Sequence, residues 1–307
     1  MRPPPILIAG QTAIGKSDVA LALAEQIGGE IISVDSMQVY RGLDIGTAKP
    51  SRAERERVPH HLIDVVGLEE TFDAARFADL AGKAEAEIRA REKVPILCGG
   101  TGLYFKAFLE GLGEAPAADP GLRAALEQVP MEDLLRELEE RDPLTFQRID
   151  RKNPRRVVRA VEVIRLTGRP FSEQRSVWGS GESGSPCTAF GLRRSASDLR
   201  TRIDVRVDAM FRNGLVEETR TLLKRGLETN RTAMQALGYR QVVEHLRGQR
   251  SLEETIELVK IRTRQFAKRQ MTWFRRQLDL RWIDVPAGEP PAETARRLEA
   301  LLKSKQT

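Results

Sequence analysis

Residues 10–17 read Gly-Gln-Thr-Ala-Ile-Gly-Lys-Ser, the spacing G-x-x-x-x-G-K-S. The apolar run Ile6-Leu7-Ile8-Ala9 precedes them, and good helix formers with Val19, Leu21, Leu23 and Ile27 follow. Strand, loop and helix in that order is the setting in which this spacing acquires a physical meaning. Glycines let the backbone fold tightly and aim its N–H groups inward, and the helix N-terminus adds partial positive charge. Lys16 contributes a full charge and Ser17 a hydroxyl for a metal such as Mg²⁺. The motif binds a phosphate chain and is silent on which one.

Further strands with polar ends extend the α/β reading. Glu30 to Val34 forms a second strand ending in Asp35-Ser36-Met37-Gln38, and Val94 to Cys98 a third running into Gly99-Gly100-Thr101-Gly102. Polar groups past the C-terminal ends of parallel strands sit where open α/β sheets bind ligands. Asp35 there is either a general base or metal-shell residue, or a cap for the following turn. Thr101 becomes a candidate site hydroxyl. His60 and His61 point to opposite faces of an extended chain, which argues for hydrogen-bonding histidines rather than a metal pair. Loop compositions at 111–120 and 179–186 bracket helical patterns at 122–129, 131–141, 143–149 and 154–167, with no strand pattern between them. The expected fold is therefore α/β: a P-loop parallel sheet core flanked by helices, with an all-helical insertion. Residues 1–114 and 187–307 form the core and 115–186 the insertion. Past 187, the pattern gives a strand at 188–192, a helix at 200–212, and a long helix at 253–276 with Ile256, Val259, Phe266 and Trp273 on its apolar stripe. Lys260, Arg264 and Lys268 fall on another face of that helix, which reads equally as a solvated back.

The net charge of +6 is uneven: residues 147–175 carry +6 and residues 193–285 carry +9, leaving an acidic remainder. Two basic regions on an acidic body favour a polyanion partner over scattered solvated side chains. Two distant cysteines, Cys98 and Cys187, make neither a disulfide framework nor a metal set. No membrane span and no signal-peptide pattern is present, so a cytoplasmic protein is expected.

GQTAIGKS, DSMQVYRGLDIGTAKP, VPHHLIDV, GGTGLY, NPRRVVRAVEV, the RIDVR helix, QALGYRQ and KRQMTWFRR run in one order from residue 10 to 276. Together they resemble the tRNA dimethylallyltransferases, bacterial type, without the zinc finger that extends some eukaryotic members. DSMQVYRxxDIGTAKP carries most of the specificity, because GxTxxGKS alone is shared by many unrelated enzymes. Gln11 stands where the family often has Pro. The resemblance implies transfer of a dimethylallyl group from its diphosphate to N6 of the adenosine on the 3′ side of the tRNA anticodon. It implies that Gly10, Thr12, Ala13, Ile14, Gly15, Lys16 and Ser17 hold the diphosphate, with Mg²⁺ on Ser17 and with Arg202 and Arg206 reaching the same group. Asp35 would accept the N6 proton and Thr101 orient the amine, while Ser36, Met37 and Gln38 meet the flipped nucleotide, Gln38 at the base edge. Arg123, Arg155, Arg156, Val157, Val158 and Arg159, with Gln235, Gly238, Tyr239 and Arg240, would grip the anticodon stem-loop. A monomer with no membrane partner is expected.

Three rivals remain. A P-loop small-molecule kinase would need neither basic region. A prenyltransferase acting on a free nucleotide would share the sheet but leave the basic helices without purpose. A non-enzymatic RNA-binding module would have no use for Lys16, Ser17 and Asp35 together.

Overall fold

The computed structural model describes residues 4–174 and 187–304; the loop composition at 179–186 lies outside them. In chain order the elements are β1 (Ile6–Gly10), α1 (Lys16–Ile27), β2 (Gly29–Val34), α2 (Arg52–Arg57), β3 (His60–His61), α3 (Ala74–Ala90), β4 (Val94–Gly99) and α4 (Gly102–Glu110). Next come α5 (Pro120–Leu126), α6 (Met131–Arg141), α7 (Pro143–Arg148), α8 (Pro154–Thr167) and α9 (Phe171–Gln174). The chain then gives β5 (Thr188–Arg193), α10 (Ala196–Arg212), α11 (Leu215–Lys224), α12 (Tyr239–Leu246), α13 (Leu252–Gln277), β6 (Arg281–Asp284) and α14 (Pro291–Lys303).

The six strands form one parallel sheet in the order β3-β2-β4-β1-β5-β6. β1 sits between β4 and β5, with Ala9 opposite Gly99 and Gly10 opposite Leu192. Val34 pairs with Gly99, so four neighbouring strands end level and deliver their following loops to one edge. β1, β2 and most of β4 are buried, as expected for a parallel sheet covered by helices. One core cluster joins Ile8, Leu23, Phe190, Ile203, Val259 and Leu298 from sheet and helices. Gly28 ends α1 in the left-handed conformation at φ 66°, a place where Gly carries no Cβ penalty.

Residues Met1–Leu109 and Gly184–Thr307 make one compact unit and Glu110–Ser183 another. The regular elements of the second unit among its described residues are helices, packed around Leu126, Leu134, Leu138, Val157, Val161 and Ile164. Its α8 starts with Asn153 accepting from the Arg156 amide and Pro154 in the first turn, and stops at Gly168.

Two features differ from the sequence expectation. α13 buries Thr255, Val259, Thr263, Ala267, Gln270 and Phe274, whereas Ile256, Phe266 and Trp273 are only half-buried. The buried line runs through polar residues because threonines there satisfy themselves: Thr263 donates to the Val259 carbonyl at 2.7 Å. Its basic face is not simply solvated either. Lys260 pairs with Asp208 at 2.9 Å and Arg264 with Asp204 at 3.5 Å, both on α10. No helix among the described residues is long and apolar enough to cross a membrane.

Candidate active site

The loop after β1 closes through backbone conformations that glycine supports. Gly15 has φ 97° and precedes α1 with no side chain capping its amides, leaving those N–H groups to an anion. Ala13 adopts φ 61°, in the left-handed region that non-glycine residues rarely visit. Lys16 Nζ lies inside the loop, donating to the Gln11 carbonyl at 2.7 Å. Burial pulls its ammonium down to about 8, Arg206 pushes the same way, and Cys98 and Asp35 oppose them. Ser17 is exposed at the helix start. The Thr12 amide is not available to a ligand, because it donates to Gln270 Oε1 at 2.8 Å.

Asp35 stands half-buried past β2. Its Oδ1 accepts from the Met37 amide at 2.8 Å and the Gln38 amide at 3.2 Å, so it does cap the turn. Oδ2 takes part in no hydrogen bond with the described residues. One carboxylate thus holds the turn with one oxygen and leaves the other for chemistry. Thr101 Oγ1 accepts from the Ser36 amide at 3.1 Å, joining the β4 turn to the segment that carries Asp35. Gln38, expected at the base edge, has its amide engaged within the protein. Its Oε1 accepts from Ser33 Oγ at 2.8 Å, and its Nε2 donates to the Thr47 and Ala48 carbonyls at 3.2 and 3.3 Å. Both ends of the amide are committed to the protein, so in this structure neither reaches for a base edge.

α10 supplies arginines to the same loop. Arg202 Nε donates to the Ala13 carbonyl at 2.8 Å, and Arg194, just past β5, donates to the Ile14 carbonyl at 2.8 Å. Arg206 has no hydrogen-bond or ion-pair partner among the described residues. Burial lowers its pKa, while the carboxylates of Asp35 and Asp18 oppose that. A guanidinium held this way, within the field of both Lys16 and Asp35, is a charge in want of an anion. Arg206 also lines a cavity of about 680 Å³ with Lys49, Arg55, Asp64, Met210 and Asn213. Lys49 is almost wholly buried, donating to the Tyr40 carbonyl and to Asp44 at 2.7 Å and to Asp64 at 2.5 Å.

The histidines do hydrogen-bond locally: His61 Nε2 meets Glu30 Oε2 at 2.7 Å and His60 Nδ1 the Val58 carbonyl at 2.7 Å. No group of three metal-ligating side chains exists among the described residues.

Several of the expected RNA-contacting residues make contacts within the protein. Val157 and Val158 are core residues of the helical unit. Arg123 and Arg159 both bind the fully buried Glu162, at 2.6 and 2.7 Å, and Arg159 also donates to the Pro116 carbonyl at 2.5 Å. Tyr239 is buried, with its hydroxyl donating to Glu218 at 2.6 Å and accepting from the Gly46 amide at 3.1 Å. Gly238 is buried as well, at φ 97°. Arg155, Arg156, Gln235 and Arg240 are exposed, Arg240 paired with Glu244 at 3.2 Å.

Gln270, Arg194, Glu162 and Glu218 were not among the residues expected from sequence. KRQMTWFRR contains Gln270 and RIDVR follows Arg194 closely, so the motifs marked the neighbourhood without assigning the contact.

The family model described as IPP transferase matches residues 38–277. The chain belongs to the IPP transferase family. Among the relatives of this family member, tRNA dimethylallyltransferase 1 of Citrifermentans bemidjiense is 46% identical over 283 residues, 92% of each chain. The tRNA dimethylallyltransferase of Desulforudis audaxviator is 45% identical over 300 residues, 96% of each. Among solved structures, the tRNA isopentenylpyrophosphate transferase of Bacillus halodurans is similar with a TM-score of 0.71 and 38% identity, covering 99% of this chain and 98% of that one. A eukaryotic dimethylallyltransferase caught acting on tRNA gives a TM-score of 0.83 at 27% identity, covering 99% and 80%.

Proposed function

We propose that this transferase moves a dimethylallyl group from dimethylallyl diphosphate to N6 of the adenosine on the 3′ side of the anticodon in tRNA. The observation that carries the reading is the convergence, at one sheet edge, of Lys16, Arg206, which has no partner among the described residues, and a half-free Asp35 carboxylate. The names of its relatives point the same way.

The chemistry follows from these charges. The N6 lone pair forms a bond to C1 of the dimethylallyl group as the C1–O bond breaks. The diphosphate leaves with that electron pair and is met by Lys16, Arg206 and the uncapped amides of α1. The proton lost from N6 goes to Asp35 Oδ2, a step that typically contributes about 10²–10⁴-fold. Thr101, whose oxygen already accepts from Ser36, keeps its hydroxyl proton to donate toward the acceptor. The adenine must leave its stack to reach this edge.

Mg²⁺ fits the donors present: Ser17 offers an exposed hydroxyl, and Mg²⁺ otherwise favours waters and substrate phosphate oxygens over an all-protein cage. When bound it neutralises diphosphate charge. The exposed Arg155, Arg156, Gln235 and Arg240 are the tRNA contacts we retain. A monomeric enzyme acting where tRNA is found, in the cytoplasm, completes the proposal.

Incubation with labelled dimethylallyl diphosphate, and separately with labelled ATP, plus bulk tRNA, tests the assignment. Prenyl label should appear in RNA. ATP hydrolysis stimulated by tRNA, without prenyl transfer, would overturn it.

A further inference from the structure

Gln270 on α13 lies between the two loops that the proposed reaction must align. Its Oε1 accepts from the Thr12 amide of the phosphate loop at 2.8 Å, and its Nε2 donates to the Gly100 carbonyl at 2.9 Å. The partners fix the orientation of the amide, since a backbone N–H can only donate and a carbonyl only accept. Gln270 is 8% exposed, and one turn away the Ala267 carbonyl accepts from Gln11 Nε2 at 2.9 Å, so α13 seats the phosphate loop from two positions. The fit at Gly100 is close: a Cβ there would lie 2.4 Å from Gln270 Nε2. From Gly100 the linkage continues. The amides of Gly100 and Thr101 both donate to the Val34 carbonyl at 3.2 Å, and Thr101 Oγ1 accepts from Ser36, the residue after Asp35.

We infer that Gln270 is a positioning residue for the transfer, setting the distance between the diphosphate-holding loop and the Thr101–Asp35 side where the acceptor amine arrives. This rests on the proposed prenyl transfer. No other side chain among the described residues hydrogen-bonds both loops at these atoms. Both ends of the Gln270 amide are taken up by the protein, holding a donor-side amide and an acceptor-side carbonyl at fixed separation. A misplacement of about 1 Å in such an alignment costs on the order of 10² in rate.

The test uses the full chain, labelled dimethylallyl diphosphate and tRNA under single-turnover, saturating conditions. The parent is assayed first: if it transfers no label, the proposed function fails, independently of Gln270. Gln270→Leu should lower the saturated rate about 10–100-fold while tRNA affinity stays near the parent's. Gln270→Glu is nearly isosteric and keeps the acceptor for Thr12, but its carboxylate faces the Gly100 carbonyl without a proton. Its rate relative to the parent should therefore rise as pH falls and the acid regains a donor. Filling space alone would not produce that trend. A saturated rate for Gln270→Leu equal to the parent's would overturn the inference. So would a pH-independent rate ratio for Gln270→Glu, and that second variant decides the matter if the leucine variant fails to fold.

Discussion

Asp35 carries two jobs on two oxygens, and a pair of substitutions separates them. Oδ1 accepts from the Met37 and Gln38 amides at 2.8 and 3.2 Å, and Oδ2 is left for the acceptor proton. Asp35→Asn retains an oxygen for both amides and puts a donor where the base was. Asp35→Ala removes cap and base together. Loss of the base should lower single-turnover transfer by about 10²–10⁴-fold in both variants. That corresponds to roughly 2.7–5.4 kcal/mol of barrier, at 1.36 kcal/mol per tenfold. Two lost hydrogen bonds, at about 0.5–1.5 kcal/mol each, should cost the alanine variant an additional 1–3 kcal/mol of stability that the asparagine variant keeps. Urea unfolding gives the stabilities, labelled prenyl transfer at saturating tRNA gives the rates, and tRNA affinity should change little in either. An asparagine variant with near-parent turnover would refute the base assignment and leave Asp35 as a cap only.

Other consequences follow from the same geometry. Because Lys16 titrates at about 8 in the folded protein, kcat/KM for the diphosphate should fall as pH rises through that value, and Lys16→Arg should remove this limb; a limb that persists in the arginine variant belongs to another group. The same depressed value means the unfolded chain binds more protons between about 8 and 10.5, so this group makes stability rise with pH across that window. Glu162→Ala leaves Arg123 and Arg159 without their shared carboxylate; breaking a buried pair costs about 3–5 kcal/mol, and the partial exposure of both arginines reduces this to about 2 kcal/mol. Hydrogen exchange across residues 110–174 should report the loss, and unchanged protection would show Glu162 to be dispensable. Tyr239→Phe removes the hydroxyl between Glu218 and Gly46 and should destabilise the protein by about 1–3 kcal/mol, with the largest gain in exchange at residues 43–49; an unchanged Tm would argue against that latch.

What could be read in the sequence was local. The phosphate loop announces itself because a strand, two glycines, Lys16 and a helix lie within about twenty residues, and each constrains the next. The inner strands were legible because they are short, mostly buried apolar runs, unlike the polar edge strands His60–His61 and Arg281–Asp284, and the helices 131–141 and 154–167 because prolines or caps mark their starts. α11 and α12 were not assigned, although each begins at a left-handed or positive-φ glycine, Gly214 and Gly238. Short helices give too few turns for a stripe to stand out.

Side-chain roles were harder, for a reason the arginines make plain. Arg159 and Arg156 share a motif and a helix, and nothing in their spacing tells that one is tied to a buried carboxylate and the other exposed. The distinction is set by Glu162, one turn on, and by Pro116, 43 residues back in the chain. Gln38 likewise presents a base-reading amide in sequence, and only the folded loop shows Ser33, Thr47 and Ala48 already consuming it. Tyr239 looks like an aromatic for stacking until Glu218 and Gly46 claim its hydroxyl. A polar side chain whose hydrogen-bonding groups are all engaged and shielded within the protein offers less to a substrate than one with a donor or acceptor left unused, and that depends on partners distant in sequence. By this criterion Arg206 and Asp35 Oδ2 qualify at the sheet edge, while Gln38 and Tyr239 do not. The groups left uncommitted there are a cation for a leaving diphosphate and a base for an attacking amine, which is the pair of charges that the proposed transfer requires.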